Sequence, residues 1–171
     1  MEMSSNGTLS RDEFDDALKN MVEICRQRCS PEWRWTLVKH EYGIYATMVT
    51  ALEWKGETVV RHCHITFNET YGVPVLWFNF YRRSGELFRI DDILDIISPL
   101  HRPAILSNSL TSISQNEHPH LGYAFYHLHP CRTNLVMKDI MYENYILSWL
   151  SVYGSAINFP VPNHLFVKDS K

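Results

Sequence analysis

Apolar positions along the chain follow two rhythms, and the change from one to the other outlines the fold. Phe14, Ala17, Leu18, Met21, Val22 and Cys25 recur at three- and four-residue spacing, which predicts a helix with one face on a core. Ser10 with Glu13 three residues later reads as a capping box, each side chain satisfying an amide at the helix start. Asp12 and Glu13 lie near the positive end of the helix dipole, Arg26 and Arg28 lie near the negative end, and Pro31 stops the helix. Beyond Pro31 the period becomes two. Trp33, Trp35 and Leu37 alternate with Arg34 and Thr36, as in a half-buried strand. Ile44 to Leu52 is rich in β-branched and aromatic residues, and Gly56 and its neighbours supply a turn. Thr58 to Phe67 then reads as a strand, with Val59, Cys63, Ile65 and Phe67 on one face and Val60, His62, His64 and Thr66 on the other. Gly72 and Pro74 introduce Val75 to Tyr81, with Leu76, Phe78 and Phe80 on one side. Strands joined by short turns predict an antiparallel meander.

The second half is mixed. Asp91 to Ile97 predicts a short helix ended by Pro99 and Pro103, and the polar, Ser-rich stretch Ser107 to Asn116 predicts a surface loop. Tyr123 to His129 reads as extended, and Tyr145, Ile146, Trp149, Leu150 and Tyr153 form a helical stripe within Glu143 to Ser155. A helix, then strands, then mixed elements is the order of an α+β fold. The length of 171 residues fits one domain over 1–171, with 1–9 and 168–171 expected to be flexible.

Charge and composition remove several functions. Lys and Arg total 16 against 19 Asp and Glu, whereas binding to a nucleic-acid backbone needs a positive surplus. No apolar run reaches the roughly 18–20 residues of a membrane span, and Met1 to Thr8 lacks the basic and apolar regions of a secretory signal. Four cysteines without such a signal point to a reducing, cytoplasmic setting. There is no G-x-S-x-G elbow and no phosphate-cradling loop, the seven glycines being scattered singly. No cofactor is expected.

Reactive side chains are densest at His127-Leu128-His129-Pro130-Cys131-Arg132-Thr133. On an extended chain His127 and His129 share a face, Pro130 fixes the backbone before Cys131, and Arg132 supplies the nearby positive charge that favours a thiolate. A buried structural cysteine with two ordinary strand histidines is the competing reading. Cys63 and Cys25 lie on apolar faces and read as core, and Cys29 follows Cys25 at a spacing unlike a Cys-x-x-Cys pair. The pairs His62/His64 and His127/His129 with Cys131 offer zinc-type donors, although no standard ligand spacing is present and no metal is expected. His118-Pro119-His120 reads as a surface turn.

Glu117-His118-Pro119, Leu121-Gly122 and Leu128-His129-Pro130-Cys131-Arg132-Thr133-Asn134 resemble the active-site block of the autophagy-related protein 10 family. Members of that family are ubiquitin-like conjugating enzymes of autophagosome formation. Asn144-Tyr145-Ile146 with Ser148-Trp149-Leu150-Ser151 resembles the family's closing helix, and Val73-Pro74-Val75-Leu76-Trp77-Phe78 resembles its middle strand. The likeness runs from about Thr58 to Pro162. His-Pro-Cys by itself is shared with the sister family, autophagy-related protein 3.

The resemblance implies a ubiquitin-conjugating-enzyme-like fold: an N-terminal helix, an antiparallel meander sheet and flanking helices. It also implies that Cys131 accepts autophagy-related protein 12 as a glycyl thioester from the activating enzyme, autophagy-related protein 7. The acyl group would then pass to a lysine of autophagy-related protein 5. Ordinary ubiquitin-conjugating enzymes support the oxyanion with an asparagine several residues before the cysteine, and none lies between Gly122 and Cys131. His129 is the candidate replacement, with orientation of the Pro130–Cys131 turn as its other reading. Thr133, Asn134 or a tyrosine on another strand are further candidate donors. The alternative to catalysis is an inert interaction module of the same fold, binding a partner through Trp77 and Tyr81. Packing of those two rings beneath a loop or an extra strand is the competing account.

Overall fold

The computed structural model describes residues 6–97, 112–140 and 143–166. Helix α1, Arg11–Arg28, forms as its pattern predicts. The Ser10 hydroxyl accepts from the Glu13 amide at 3.3 Å, and the Glu13 carboxylate accepts from the Ser10 amide at 2.7 Å. Phe14, Leu18, Met21 and Cys25 are buried on its inner face.

Strands β1 (Thr36–His40), β2 (Gly43–Trp54), β3 (Glu57–Asn68) and β4 (Val73–Arg82) form the antiparallel meander. The first of these begins later than the alternation suggested: Pro31–Trp33 is a single 3-10 turn, and Trp35 enters the core just ahead of the strand. Helix α2, Ile90–Ile96, follows β4. The expected stops at Pro99 and Pro103 lie outside the described residues, as do 1–5, 168–171 and the Ser107–Thr111 part of the expected loop.

The rest of that expected loop is a strand. β5, Ile113–Glu117, pairs with β6, Ala124–Leu128, and the sheet order is β1-β2-β3-β4-β6-β5. Both faces of β5 are half-buried or exposed, so its side chains carry no core signal and only its backbone ladder makes it a strand. β6 joins β4 over just two register pairs, Trp77↔His127 and Phe78↔Tyr126. Asn79 prolongs this short seam: its amide Nδ2 donates to the Ala124 carbonyl at 3.0 Å, and its Oδ1 accepts from the Tyr126 amide at 3.4 Å.

After β6 come a 3-10 turn at Pro130–Arg132, the short helix α3 at Thr133–Met137, and helix α4 at Tyr145–Ala156. α1 and α4 pack on one face of the sheet around Phe14, Leu18, Leu76, Phe78, Ile146, Trp149 and Leu150. Asn144 caps α4 by accepting from the Leu147 amide at 3.0 Å. Its Nδ2 ties the helix to α1, donating to the Ala17 carbonyl at 2.8 Å and to Asn20 Oδ1 at 2.9 Å. The segment before α1 is also anchored: Leu9 N–H donates to the Gly72 carbonyl, and the Tyr145 hydroxyl donates to the Gly7 carbonyl, both at 2.7 Å.

Candidate active site

Cys131 is the one exposed thiol of the four. β6 delivers it: His129 N–H donates to the Ser112 carbonyl at 2.9 Å, buried Pro130 turns the chain, and α3 begins two residues after the sulfur. The Cys131 amide donates to His129 Nδ1 at 3.3 Å. A backbone N–H can only donate, so a neutral His129 ring carries its proton on Nε2. One imidazole nitrogen thus orients the turn while the other is a donor. The Tyr71 ring, in the turn between β3 and β4, stands edge-on to His129 at 6.1 Å.

The other two candidate donors differ in burial. Thr133 is buried, its side chain against the Tyr153 hydroxyl of α4, so it presents no donor at the surface beside Cys131. The Tyr153 hydroxyl is itself buried close to Thr133 and the Cys131 thiol, makes no well-formed hydrogen bond, and has its phenol pushed above the ordinary range by burial. Asn134 is half-buried, and its backbone carbonyl lies against Gly7. Periodicity gave no sign of Tyr153 beside the site, because on the helical stripe it looks like any core aromatic.

Burial separates the remaining cysteines from Cys131. The thiols of Cys25 and Cys63 are pushed up to about 12 by burial, and Cys29 is half-buried and also raised, again chiefly by burial. Such thiols stay protonated and unreactive near neutrality.

His62, His64, His118 and His127 gather on the face of the sheet away from α1 and α4, but not as ligands of Cys131. His64 lies opposite Trp77, and Trp77 lies opposite His127, so an indole stands between the two histidine pairs. Among the described residues no group of three or more His, Cys, Asp or Glu could hold a metal ion. His64 instead meets His118, Nδ1 to Nε2 at 3.1 Å. His118 is buried, which corrects the surface-turn expectation. The turn itself exists: the Leu121 and Gly122 amides both donate to the His118 carbonyl. The His120 amide donates to His118 Nδ1 at 3.2 Å, so neutral His118 carries its proton on Nε2 and donates it to His64 Nδ1. Burial holds both rings neutral, His118 down to about 3 and His64 to about 4. From β5, Asn116 Nδ2 donates to His127 Nε2 on β6 at 2.9 Å.

Trp77 and Tyr81 form no exposed binding face. Trp77 is buried with Val75 and Phe125, and its indole N–H donates to Thr66 Oγ1 at 2.8 Å. Tyr81 is half-buried, its hydroxyl accepting from Asn79 Nδ2 at 3.0 Å and its ring edge-on to His62. The competing account, in which the rings pack against added structure, describes Trp77, whose indole packs with Phe125 from the neighbouring strand β6 and half-buried Leu121 from the loop before it. No helix among the described residues is long and apolar enough to cross a membrane.

Comparison with known proteins places this geometry. The chain resembles the ubiquitin-like-conjugating enzyme ATG10 of Homo sapiens, at 32% identity over 114 residues covering 62% of the chain and 52% of that protein. It also resembles the ATG10 of Arabidopsis thaliana, at 31% over 137 residues covering 74% of the chain and 60% of that protein. It thus spans between half and three fifths of the length of these curated relatives. A shorter stretch of 77 residues is 30% identical to autophagy-related protein 3 of Dictyostelium discoideum, covering 45% of the chain and 21% of that protein. In fold it is similar to the solution structures of KmAtg10, with a TM-score of 0.55 at 15% identity over 91% of this chain and 99% of that one. The crystal structure of the autophagic E2 Atg10 gives the same TM-score at 14% identity over 89% and 98%. The fold is therefore E2-like, as the motifs implied. The model of the autophagocytosis associated protein, active-site domain, matches residues 46–164, from the fourth residue of β2 to within two residues of the end of the described chain, and includes Cys131. The chain belongs to that family.

Proposed function

We propose that this protein is an E2-like conjugating enzyme of autophagy that carries a ubiquitin-like protein as a thioester on Cys131. The observation that supports it most is the contrast among the cysteines: one thiol is exposed, at a turn held by its neighbouring histidine, while Cys25 and Cys63 are sealed in the core. In the first step Cys131 Sγ attacks the thioester carbonyl on the activating enzyme. The S–H proton passes to solvent, a new C–S bond forms, and the activating enzyme's thiolate leaves. In the second, a neutral lysine amine attacks the carbonyl, the C–Sγ bond breaks, and an isopeptide bond forms as the nitrogen loses a proton. In this second step negative charge grows on the carbonyl oxygen as the neutral amine, a weaker nucleophile than a thiolate, attacks. His129 Nε2–H is the donor proposed to meet it, while Nδ1 keeps the Cys131 amide in place.

Following the family resemblance, the transferred protein is autophagy-related protein 12, the donor is autophagy-related protein 7 and the acceptor is autophagy-related protein 5, in the cytoplasm. Reconstitution with those three proteins and ATP tests the assignment: a lysine-linked product that survives reductant is expected, and its absence when the thioester itself forms would refute the acceptor. His129→Ala should form the thioester at near-normal rate and discharge it to lysine about a hundredfold more slowly, the size of effect typical of a lost oxyanion donor. Unchanged discharge would remove that role from His129.

A further inference from the structure

Arg61 is out of place on its strand. It shares the inward face of β3 with Val59, Cys63 and Ile65, is 7% exposed, and has no carboxylate partner among the described residues. Its Nε donates to Thr50 Oγ1 at 3.2 Å, its Nη1 donates to the Asn158 carbonyl at 2.7 Å, and its guanidinium lies 4.4 Å from the Phe159 ring centre. A guanidinium has five N–H donors in a planar fork, and these two bonds leave Nη2 without an acceptor. A buried cation with neutral neighbours is costly unless an anion completes it.

A cavity of about 460 Å³ opens at this guanidinium, within the size range of small-ligand sites. Trp33, Phe159, Pro160 and Ala51 form its apolar walls, with Trp33 and Phe159 stacked at 5.6 Å. Thr50 and Arg61 supply its polar groups, and Ser30 and Glu32 complete the lining. Exposed Glu32 makes no ion pair with Arg61, its carboxylate accepting from the Ser30 hydroxyl at 3.3 Å. The cavity lies far from Cys131. Arg61 sits near the Val59–Arg82 end of the β3–β4 ladder, whereas β6 runs past Trp77 toward the Val73 end before reaching the thiol.

We propose that this cavity is a carboxylate-binding site anchored by Arg61, taking a carboxylate on an apolar or aromatic stem that lies against the wall formed by Trp33, Phe159 and Pro160. The bidentate fork suits a carboxylate better than a point anion. Both a free small acid and the C-terminus of a protein chain offer this chemistry, and the test separates them.

The experiment follows the Arg61 Nε–H resonance in the 171-residue protein without a thioester, so that its outcome is independent of thioester chemistry at Cys131. The probes are 3-phenylpropionate with its amide, and acetyl-Ala-Ala-Phe as the free acid with its C-terminal amide. At least one acid should shift the resonance saturably and bind ten or more times tighter than its amide. Saturation by phenylpropionate alone identifies a small acid, and saturation by the peptide acid identifies a chain terminus. Read at the indole N–H of Trp33 in the cavity wall, Arg61→Lys, which keeps the charge but loses the fork, should weaken binding at least tenfold, while Glu32→Gln should tighten it severalfold by removing a like charge from the cavity. No saturable shift with either acid up to about 10 mM, a ligand worth less than roughly 3 kcal/mol, would overturn the proposal. Equal binding of acids and amides would do the same. Because the acid–amide comparison uses the unmodified protein, it stands even if Arg61 variants fold poorly.

Discussion

Gly7 links the start of the chain to the active-site turn, and replacing it tests how rigidly Cys131 is held. The residue is buried at φ +75°, and a Cβ there would overlap the Asn134 carbonyl oxygen and lie 2.7 Å from the Lys138 nitrogen. Both atoms belong to the backbone at α3, which follows Cys131 directly, so no flexible side chain can give way. Gly7→Ala incurs about 1–2 kcal/mol for a left-handed non-glycine residue and about 1–3 kcal/mol for overpacking. The total, about 2–5 kcal/mol, is a large share of a domain's usual 5–15 kcal/mol. At about 2–4 °C per kcal/mol for a chain of this size, the melting temperature falls by roughly 4–20 °C. Gly56→Ala is the control. That glycine has φ +77° but nothing within 4 Å of the added carbon, so only the backbone cost of about 1–2 kcal/mol applies. Denaturant unfolding of both variants isolates the contact as their difference, about 1–3 kcal/mol, and thiol labelling of the folded proteins should show Cys131 altered in Gly7→Ala alone. Equal destabilisation by the two substitutions, with Cys131 labelled at the same rate, would refute the view that the N-terminal segment braces α3.

Two further outcomes follow from burial. Alkylation of the native protein at pH 7.5, followed by peptide mass, should modify Cys131 first, Cys29 more slowly, and Cys25 and Cys63 only on unfolding, because burial pushes the last two thiols up to about 12; early labelling of Cys63 would contradict this core. Between pH 8 and 6.5 these histidines leave stability flat, and it should fall as the pH drops from there toward 4, because unfolded histidine takes up a proton near 6.5 while His64 and His118 stay neutral to about 4 and about 3. Each then contributes up to about 2 kcal/mol of loss by pH 5. Unfolding free energies that hold constant from pH 7.5 to 5 in His64→Gln and wild type alike would show that the pair is not buried in neutral form.

Where one side chain and one spacing decide a structure, the sequence was readable. Ser10 and Glu13 form the capping box that their spacing announces, and β3 and β4 follow turns marked by Gly56 and Gly72. β5 escaped because Ser114, Gln115 and Asn116 bury little, and only pairing with β6 makes them a strand. His118 escaped for a different reason. A His-Pro-His turn looks like surface, and its burial depends on His64 arriving from β3, fifty-four residues earlier. The same holds at the site: Cys131 and His129 stand out in one short motif, whereas Tyr153 beneath them and Gly7 beside them come from opposite ends of the chain. Arg61 was within reach, since strand parity places it on the apolar face with Cys63.

The most direct test of the account is intact-mass analysis after incubation with the activating enzyme, ATP and the ubiquitin-like protein. Wild type should gain one ubiquitin-like protein through a bond that reductant cleaves, and Cys131→Ser should give no adduct or one that resists reductant. A reductant-sensitive adduct of undiminished yield on Cys131→Ser would place the chemistry on another thiol and contradict the central claim.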